Sequence, residues 1–506
     1  TKSITWNTTD DNRGTVLIEL SDDGGSSYST ELTTDTTDVG SYNFDTTALA
    51  DGANYRVRVT PTDEAGNEGT ADESAADFIV DNSAPTISLT APSGGEIWNG
   101  TKTISWNTTD ANVGTVLVEV SVDGGASYGA FQATVADTGS YSFDTTAVSD
   151  SANCRVRVTP TDGAGNVGTA ALSPADFIVD NNAPVIALTA PSGGEIWRGT
   201  RTITWNTTDA NPGTVLVELS DDGGASYTTL ATVTDTGSYS YNFGPLADGA
   251  NHRVRVTATD GAGNVGSPDA SGASFTVDNT TPVVALTSPS GGEIWRGTRT
   301  ITWNTTDANP ETVLVEVSID GGTSYGAFQV SVPDTGSYSF DTTGLTDSAN
   351  CRVRVTATDG AGNVSGPSTL GTDFVIDNAL PVIVLTAPSS GVLWGSTRNV
   401  TWNTTDANPG TVLVEVSDDS GANWSTLAAA ASDTGSYSFD TTGRNGTNYR
   451  VRVTATDGAG NVSSPSVLAA DFVIDNIDPV VALTSPVGGE YWSGTRNITW
   501  STTDAN

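Results

Sequence analysis

The sequence predicts an all-β chain, a tandem series of seven-stranded Greek-key β-sandwiches in an extended array, and three observations predict it. A tryptophan in an I-T-W-type strand recurs at Trp6, Trp106, Trp205, Trp303, Trp402 and Trp500, at intervals of 100, 99, 98, 99 and 98 residues. That interval is the length of one sandwich domain and far too long for a solenoid turn. Inside each interval, short runs alternate apolar and polar residues between turns rich in Gly, Asp and Asn, which is the period of half-buried strands. No segment carries the 3.6-residue period of an amphipathic helix.

The repeat sets the boundaries. Residues 1–82 make a first repeat that lacks its opening strand, 83–181, 182–279, 280–378 and 379–476 make four whole ones, and 477–506 hold the first two strands of a sixth. The chain opens at TKSITWNTTDDN and closes at SGTRNITWSTTDAN, the same point of the repeat, and has no Met at any position, which reads as an interior piece of a longer periodic protein. A chain of 506 residues with 36% hydrophobic content, cut at this period, builds one small core per repeat rather than a single large one.

The third repeat shows the strands in order. PVIALTAP is the first, with Ile186 and Leu188 alternating with smaller residues before a Pro-Ser-Gly-Gly turn. In TRTITWN, Ile203 and Trp205 share one face while Thr202, Thr204 and Asn206 take the other. TVLVELS points Val215, Val217 and Leu219 inward and leads through a DDGG hairpin into a fourth strand. SYSYNF places Tyr239 and Tyr241 on one face, HRVRVTATD runs into a DGAGN turn, and ASFTVDN closes the repeat. In each repeat the sixth strand carries an outward Arg pair, such as Arg155 with Arg157 and Arg253 with Arg255, and its neighbour in this topology carries an outward Glu, Glu119 or Glu218, to pair with it.

The runs ANYRVRVTPTDEAGN and TNYRVRVTATDGAGN resemble the sixth strand of fibronectin type III and bacterial immunoglobulin-like domains, whose Tyr forms the tyrosine corner; Tyr55 and Tyr449 match it. LTAPSGGEIWRGTRTITW followed by DTGSYSF is similar to the Kre9/KNH-like Ig-fold repeats of secreted proteins, and DFIVDN before a Pro resembles the junctions of bacterial Ig-like adhesin arrays. The resemblance spans essentially the whole chain and implies a fold, not an activity. Cys154, His252 and Cys351 stand where the corner Tyr is expected in three repeats.

Composition narrows the function. Sixty acidic against twenty basic residues give a formal charge of −40, which argues against nucleic acid and anionic membranes as partners. No run of 18 or more apolar residues is present to insert in a bilayer. One His and two Lys cannot furnish a repeated catalytic apparatus, and no nucleophile motif or phosphate loop occurs, so an enzyme is not expected. Two cysteines, Cys154 and Cys351, share parity with inward valines and read as buried free thiols. Trp98, Trp197, Trp295, Trp394 and Trp492, in the GGEIW-type turns, either plug the ends of their sandwiches or form a platform for sugar rings, and Trp424 stands alone in its column. N-x-S/T sequons within WNTT fit an exported protein.

Much of the acid is Asp in fixed columns, which suggests turn residues or metal ligands rather than a solvating surface. In a sandwich of the resembled order, the end of one repeat meets two loops of the next. Asp180 and Asn181 should therefore meet Asp209, Asn211 and Asp260. The same set recurs as Asp81 with Asp110 and Asp162, Asp278 with Asp307 and Asp359, and Asp377 with Asp406 and Asp457. Two readings stand: each Asp caps its own turn, or the oxygens converge on Ca²⁺. The expected function is an extracellular stalk or filament on a microbial cell surface that supports adhesion, its partners being neighbouring repeats or identical chains in a fibre. The alternative is a carbohydrate-binding array whose partners are surface glycans.

Overall fold

The computed structural model describes residues 1–504. They fall into two compact units, one of Thr1–Glu195, Thr200–Tyr241 and Gly249–Thr276, the other of Ile196–Gly199, Asn242–Asp248 and Val277–Asn506. Residues 83–181, inside the first unit, show the sandwich: β1 (Thr86–Ala91), β2 (Ile97–Trp98), β3 (Thr101–Thr109), β4 (Val113–Ser121), β5 (Phe131–Ala136), β6 (Ser140–Asp144), β7 (Ser151–Asp162), β8 (Ala171–Leu172) and β9 (Phe177–Val179). β1, β3 and β6 form a three-stranded sheet in the order β6-β3-β1; the facing sheet runs β5-β4-β7-β9-β2, with β8 also on β7. The second unit repeats this arrangement over 280–378 and 379–476.

Period-two patterning places the core. Ile104 and Trp106 from β3 face Val116, Val118 and Val120 from β4 and Cys154, Val156 and Val158 from β7, all at most 2% exposed. Phe143 and Phe177 fill the space between, and the Trp106 indole N–H reaches out to Asp137 Oδ1 at 2.7 Å. The short β2 is a parallel partner of β9, so Trp98 is a strand residue and not part of a turn. Its ring lies 4.7 Å from Phe177; Trp295 and Trp394 sit likewise against Phe374 and Phe472, and all three are buried.

The outer face of β4 and β7 differs from a plain row of exposed ion pairs. Arg157 grips Glu119 with two N–H groups at 2.6 and 2.9 Å and stacks over Tyr128 at 4.3 Å, which leaves Glu119 only 3% exposed. Arg354 does the same with Glu316 and Tyr325, and Arg452 with Glu415 and Trp424. Trp424, the one tryptophan in its column, is thus the counterpart of those tyrosines and lies half-buried under a guanidinium. The corner position also adapts: Tyr55 donates to Ala50 O five residues back, whereas Cys154, His252 and Cys351 reach the carbonyls of Ser151, Gly249 and Ser348, three residues back.

Candidate functional site at the repeat junctions

Each junction is made from three turns. After β9 or its equivalent the chain crosses to the next repeat in five residues, 81–85, 180–184, 278–282, 377–381 or 475–479, too few to form a loose linker. Its first residue is an Asp whose Oδ1 accepts from the backbone N–H two residues on, as Asp180 does from Asn182. The T-D-A-N turn after the tryptophan strand is an Asx turn, Asn211 N–H donating to Asp209 Oδ1 at 2.7 Å. In D-G-A-G-N, Asp260 Oδ1 accepts from the N–H groups of Ala262, Gly263 and Asn264, a curl that needs Gly263 at φ +97°.

Among the described residues, these turns bring three carboxylates together at four places. Asp81, Asp110 and Asp162; Asp180, Asp209 and Asp260; Asp278, Asp307 and Asp359; and Asp377, Asp406 and Asp457 each offer one oxygen, and within each set those oxygens lie within 4.8 Å of one another. Two asparagines tie each set together, one that the sequence singles out, Asn211, and one that it does not, Asn264 at the end of DGAGN. Asn264 donates from one amide to Asp180 O at 2.9 Å and Asp260 Oδ2 at 2.7 Å, while Asn211 donates to Asp180 Oδ2 at 2.7 Å. Asn166 with Asn112, Asn363 with Asn309, and Asn461 with Asn408 repeat the pattern. The signal was present in the sequence as the last letter of DGAGN, but a turn Asn usually serves its own backbone.

Asn181 is not brought to the cluster. Its Oδ1 accepts from Thr145 Oγ1 at 2.6 Å and its amide donates to Asp150, both in its own repeat, because neighbours in extended chain point to opposite sides. Asn211 enters the cluster, but as a hydrogen-bond donor to Asp180.

The electrostatics of the sets are uneven. Burial, followed by the charges of Asp180 and Asp260, pushes the Asp209 carboxyl above the ordinary range despite the bond from Asn211; Asp307 and Asp406 are raised in the same way. Burial pushes Asp162 upward too, but the bonds from Asn166, Gly165 and Ala164 outweigh it and hold this carboxyl below. Two unit charges about 4 Å apart repel by about 4 kcal/mol at an effective dielectric of about 20, so a fully ionised triad gains from any cation placed among its oxygens. The donors are all hard oxygens, the chemistry that suits Ca²⁺, with water and backbone carbonyls to complete six to eight ligands.

A second layer spans the junction. Asn99 donates to Asn264 Oδ1 at 2.9 Å, Arg198 to Asn363 Oδ1 at 3.1 Å and Arg296 to Asn461 Oδ1 at 3.2 Å. A Cβ on Gly360 would come 2.8 Å from Ile196 Cδ1, so a larger residue here would have to push the end of the Ile196 side chain aside.

Strand order and core define tandem fibronectin III-type sandwiches, and the sites they carry are junctions between modules. The family model described as a bacterial Ig-like domain (group 3) matches residues 39–173 and 235–370, more than half of the chain, and the chain belongs to that family. Each matched stretch takes in one complete triad, Asp81 with Asp110 and Asp162 in the first and Asp278 with Asp307 and Asp359 in the second. Exoglucanase B of Cellulomonas fimi is 31% identical over 252 residues, 47% of this chain and 21% of that protein, so the chain spans about a fifth of that relative's length. Similar solved structures include a tetra-tandem repeat in the extending region of a large adhesion protein, at 23% identity and a TM-score of 0.32 over 78% of this chain and 100% of that one. The fibronectin(III)-like modules of Clostridium thermocellum CbhA match at 14% identity and a TM-score of 0.24, over 42% and 100%. A 1.5-MDa bacterial ice-binding adhesin matches at 21% identity and a TM-score of 0.26, over 59% and 99%.

Proposed function

We propose that the chain is a non-catalytic, extracellular spacer: tandem sandwiches that form a stalk or filament on a microbial cell surface and hold an adhesive domain away from it, with Ca²⁺ setting the junctions. The observation that carries this reading is the fourfold recurrence of one three-carboxylate set where the end of one repeat meets two turns of the next. A spacer needs repeats that are alike and junctions that are fixed, and each of these junctions combines a five-residue crossing with direct side-chain bonds on both sides. Chelation tests it. Removing divalent cations should shorten the mean end-to-end distance in small-angle scattering and lower the melting temperature, and restoring Ca²⁺ should reverse both. Scattering and melting curves that ignore exhaustive chelation would refute the calcium junction.

The similarity to a stretch of Exoglucanase B favours a second reading, an accessory segment of a secreted polysaccharide hydrolase. In that case spacing is favoured over sugar binding, since Trp98, Trp295 and Trp394 are spent on their cores, Trp197 packs edge-on against Phe243 and Trp424 is stacked under Arg452, while of the five GGEIW-type tryptophans Trp492, 41% exposed, stays open to a ligand. Saturable binding to insoluble polysaccharide would restore the carbohydrate-binding alternative.

A further inference from the structure

One chemical feature recurs in the repeats with no part in core or junction. The tryptophan strand continues as W-N-T-T, so Asn7, Asn107, Asn206, Asn304 and Asn403 each precede by two a threonine hydroxyl, at Thr9, Thr109, Thr208, Thr306 and Thr405. This is the acceptor pattern for N-linked glycan. Alternation decides where these residues point. With Trp106, Trp205, Trp303 and Trp402 each 2% exposed on the inner face, the following Asn is turned outward, and all five are exposed.

Their surroundings leave room. Across the sheet from Asn107, Asn206, Asn304 and Asn403 stand Ser88, Ala187, Ala285 and Val384, short side chains with no charge. On the other side, pairing with the SYSF-type strand ends two residues earlier, at Ser105, Thr302 and Thr401, so no side chain of that strand lies alongside. Among the described residues, none of the five side-chain amides has a hydrogen-bond partner. Other copies of the pattern do not recur in repeat after repeat at one place, and they differ in setting: Asn99-Gly-Thr and Asn423-Trp-Ser begin at amides that donate to Asn264 Oδ1 and Asp419 Oδ2, Asn399-Val-Thr lies opposite Ser438 of the SYSF strand, and the exposed Asn445-Gly-Thr and Asn497-Ile-Thr begin outside any strand. Asn363-Val-Ser and Asn461-Val-Ser begin at asparagines 3% exposed, whose amides are committed to Asp278 and Asp359 or to Asp377 and Asp457. Asn279-Thr-Thr begins at an amide held by Phe243 O and Leu246 O. In the last repeat Ser501 replaces the asparagine.

We propose that Asn7, Asn107, Asn206, Asn304 and Asn403 are N-glycosylation sites, one per repeat, on the outer face of the three-stranded sheet. The donor class is an oligosaccharide carried on a polyprenyl diphosphate. The carboxamide nitrogen attacks the anomeric carbon, the C–N bond forms as the C–O bond to the diphosphate breaks, the amide gives up one proton, and the lipid diphosphate leaves. The proposal rests on the export reading above, because such transfer takes place on the outer side of a membrane.

The test is glycopeptide mapping of the full chain purified from the cells that make it, after surface and cytosolic fractions are separated. Amidase release in heavy-oxygen water then marks each formerly modified Asn as Asp. The expected result is marking at the five W-N-T-T asparagines in surface material, with Asn363 and Asn461 unmarked. Asn206→Gln and Thr208→Val, one removing the acceptor nitrogen and the other only the neighbouring hydroxyl, should each abolish the glycan on that repeat alone. Surface chain without glycan at these positions overturns the proposal and leaves the spacer reading intact. Chain found only in the cytosol, unmodified, overturns both.

Discussion

Replacing Asn363 with Ala should loosen a junction far more than the same change at Asn67, although both occupy the last place of the same turn. Asn363 is 3% exposed and donates to Asp278 O at 2.9 Å and to Asp359 Oδ2 at 2.8 Å, and Asp359 is fully buried. Truncation strands one buried carboxylate oxygen and one carbonyl. A buried acceptor left without its partner costs about 1–3 kcal/mol, so the pair together should cost about 2–6 kcal/mol. Asn67 is exposed and its amide bonds only to Asp63, within its own turn, so its loss should cost about 0.5–1 kcal/mol. Hydrogen–deuterium exchange on the intact chain reads this directly, because local opening sets the exchange rate of the turn amides. At about 1.4 kcal/mol per factor of ten, amides in the 359–365 turn should exchange about 30- to 20,000-fold faster in Asn363→Ala, while those of the 63–69 turn accelerate about two- to five-fold in Asn67→Ala. Equal effects at the two positions would show that the bond to Asp278 O does not hold the junction and would refute the reasoning.

Arg198 is exposed and gives one bond to Asn363 beside the Asp278, Asp307 and Asp359 set, so Arg198→Ala should cost less than about 1 kcal/mol yet tighten Ca²⁺ binding there several-fold, as calorimetric titration would show. The pH response should carry two signs. Asp23, Asp123, Asp320 and Asp419, drawn down to about 2 by bonds such as those Asp123 accepts from Ser121 and Ser127, hold their hairpin loops above the ordinary Asp value, and that support is lost as pH falls toward 2. Asp209, Asp307 and Asp406 are raised, so metal-free junctions should be tighter just below the ordinary carboxylate range than at neutral pH, a difference that Ca²⁺ should erase in exchange measurements. Burial raises the thiols of Cys154 and Cys351, so both should resist a thiol reagent in the native chain and react only as the repeats that hold them unfold.

What the sequence revealed and what it hid follow from the range of the forces involved. The tryptophan strand and the valine strands were legible because a period of two, sustained over several residues, has one way to bury its apolar side. The two-residue strand Ile97–Trp98 was not, since two residues carry no period and the flanking glycines read as turn. The aspartates of the junctions were legible as columns, but Asp180 and Asn181 could not be told apart, and only coordinates decide which of two adjacent residues faces the next repeat. The burial of Glu119 was hidden for another reason: it arises from Arg157 and Tyr128 lying over it, and Tyr128 is distant in register from any charge pattern. The role of Trp424 was hidden on the same account, because a Trp among tyrosines looks unique until the guanidinium it supports is seen.

The junction chemistry bears on how open repeat ends avoid sticking while closed ones hold together. An apolar junction would leave a sticky patch on every repeat not yet docked, whereas these ends carry Asp and Asn, which water satisfies when the junction is open. The same choice limits the strength of the closed state. Each junction hydrogen bond nets about 0.5–1.5 kcal/mol, and the apolar contacts include one isoleucine against a glycine at three junctions, Ile97, Ile196 and Ile294 against Gly261, Gly360 and Gly458. Against this stands the mutual repulsion of three carboxylates within 4.8 Å. The two contributions are of similar size, so the cation-free junction lies near balance, and a bound divalent ion both removes the repulsion and adds attraction. Stiffness in this chain is therefore expected to follow cation occupancy more than packing, and a junction whose neighbouring guanidinium already supplies positive charge, as at Arg198 and Arg296, should loosen less on chelation than the one where Asn99 takes that place.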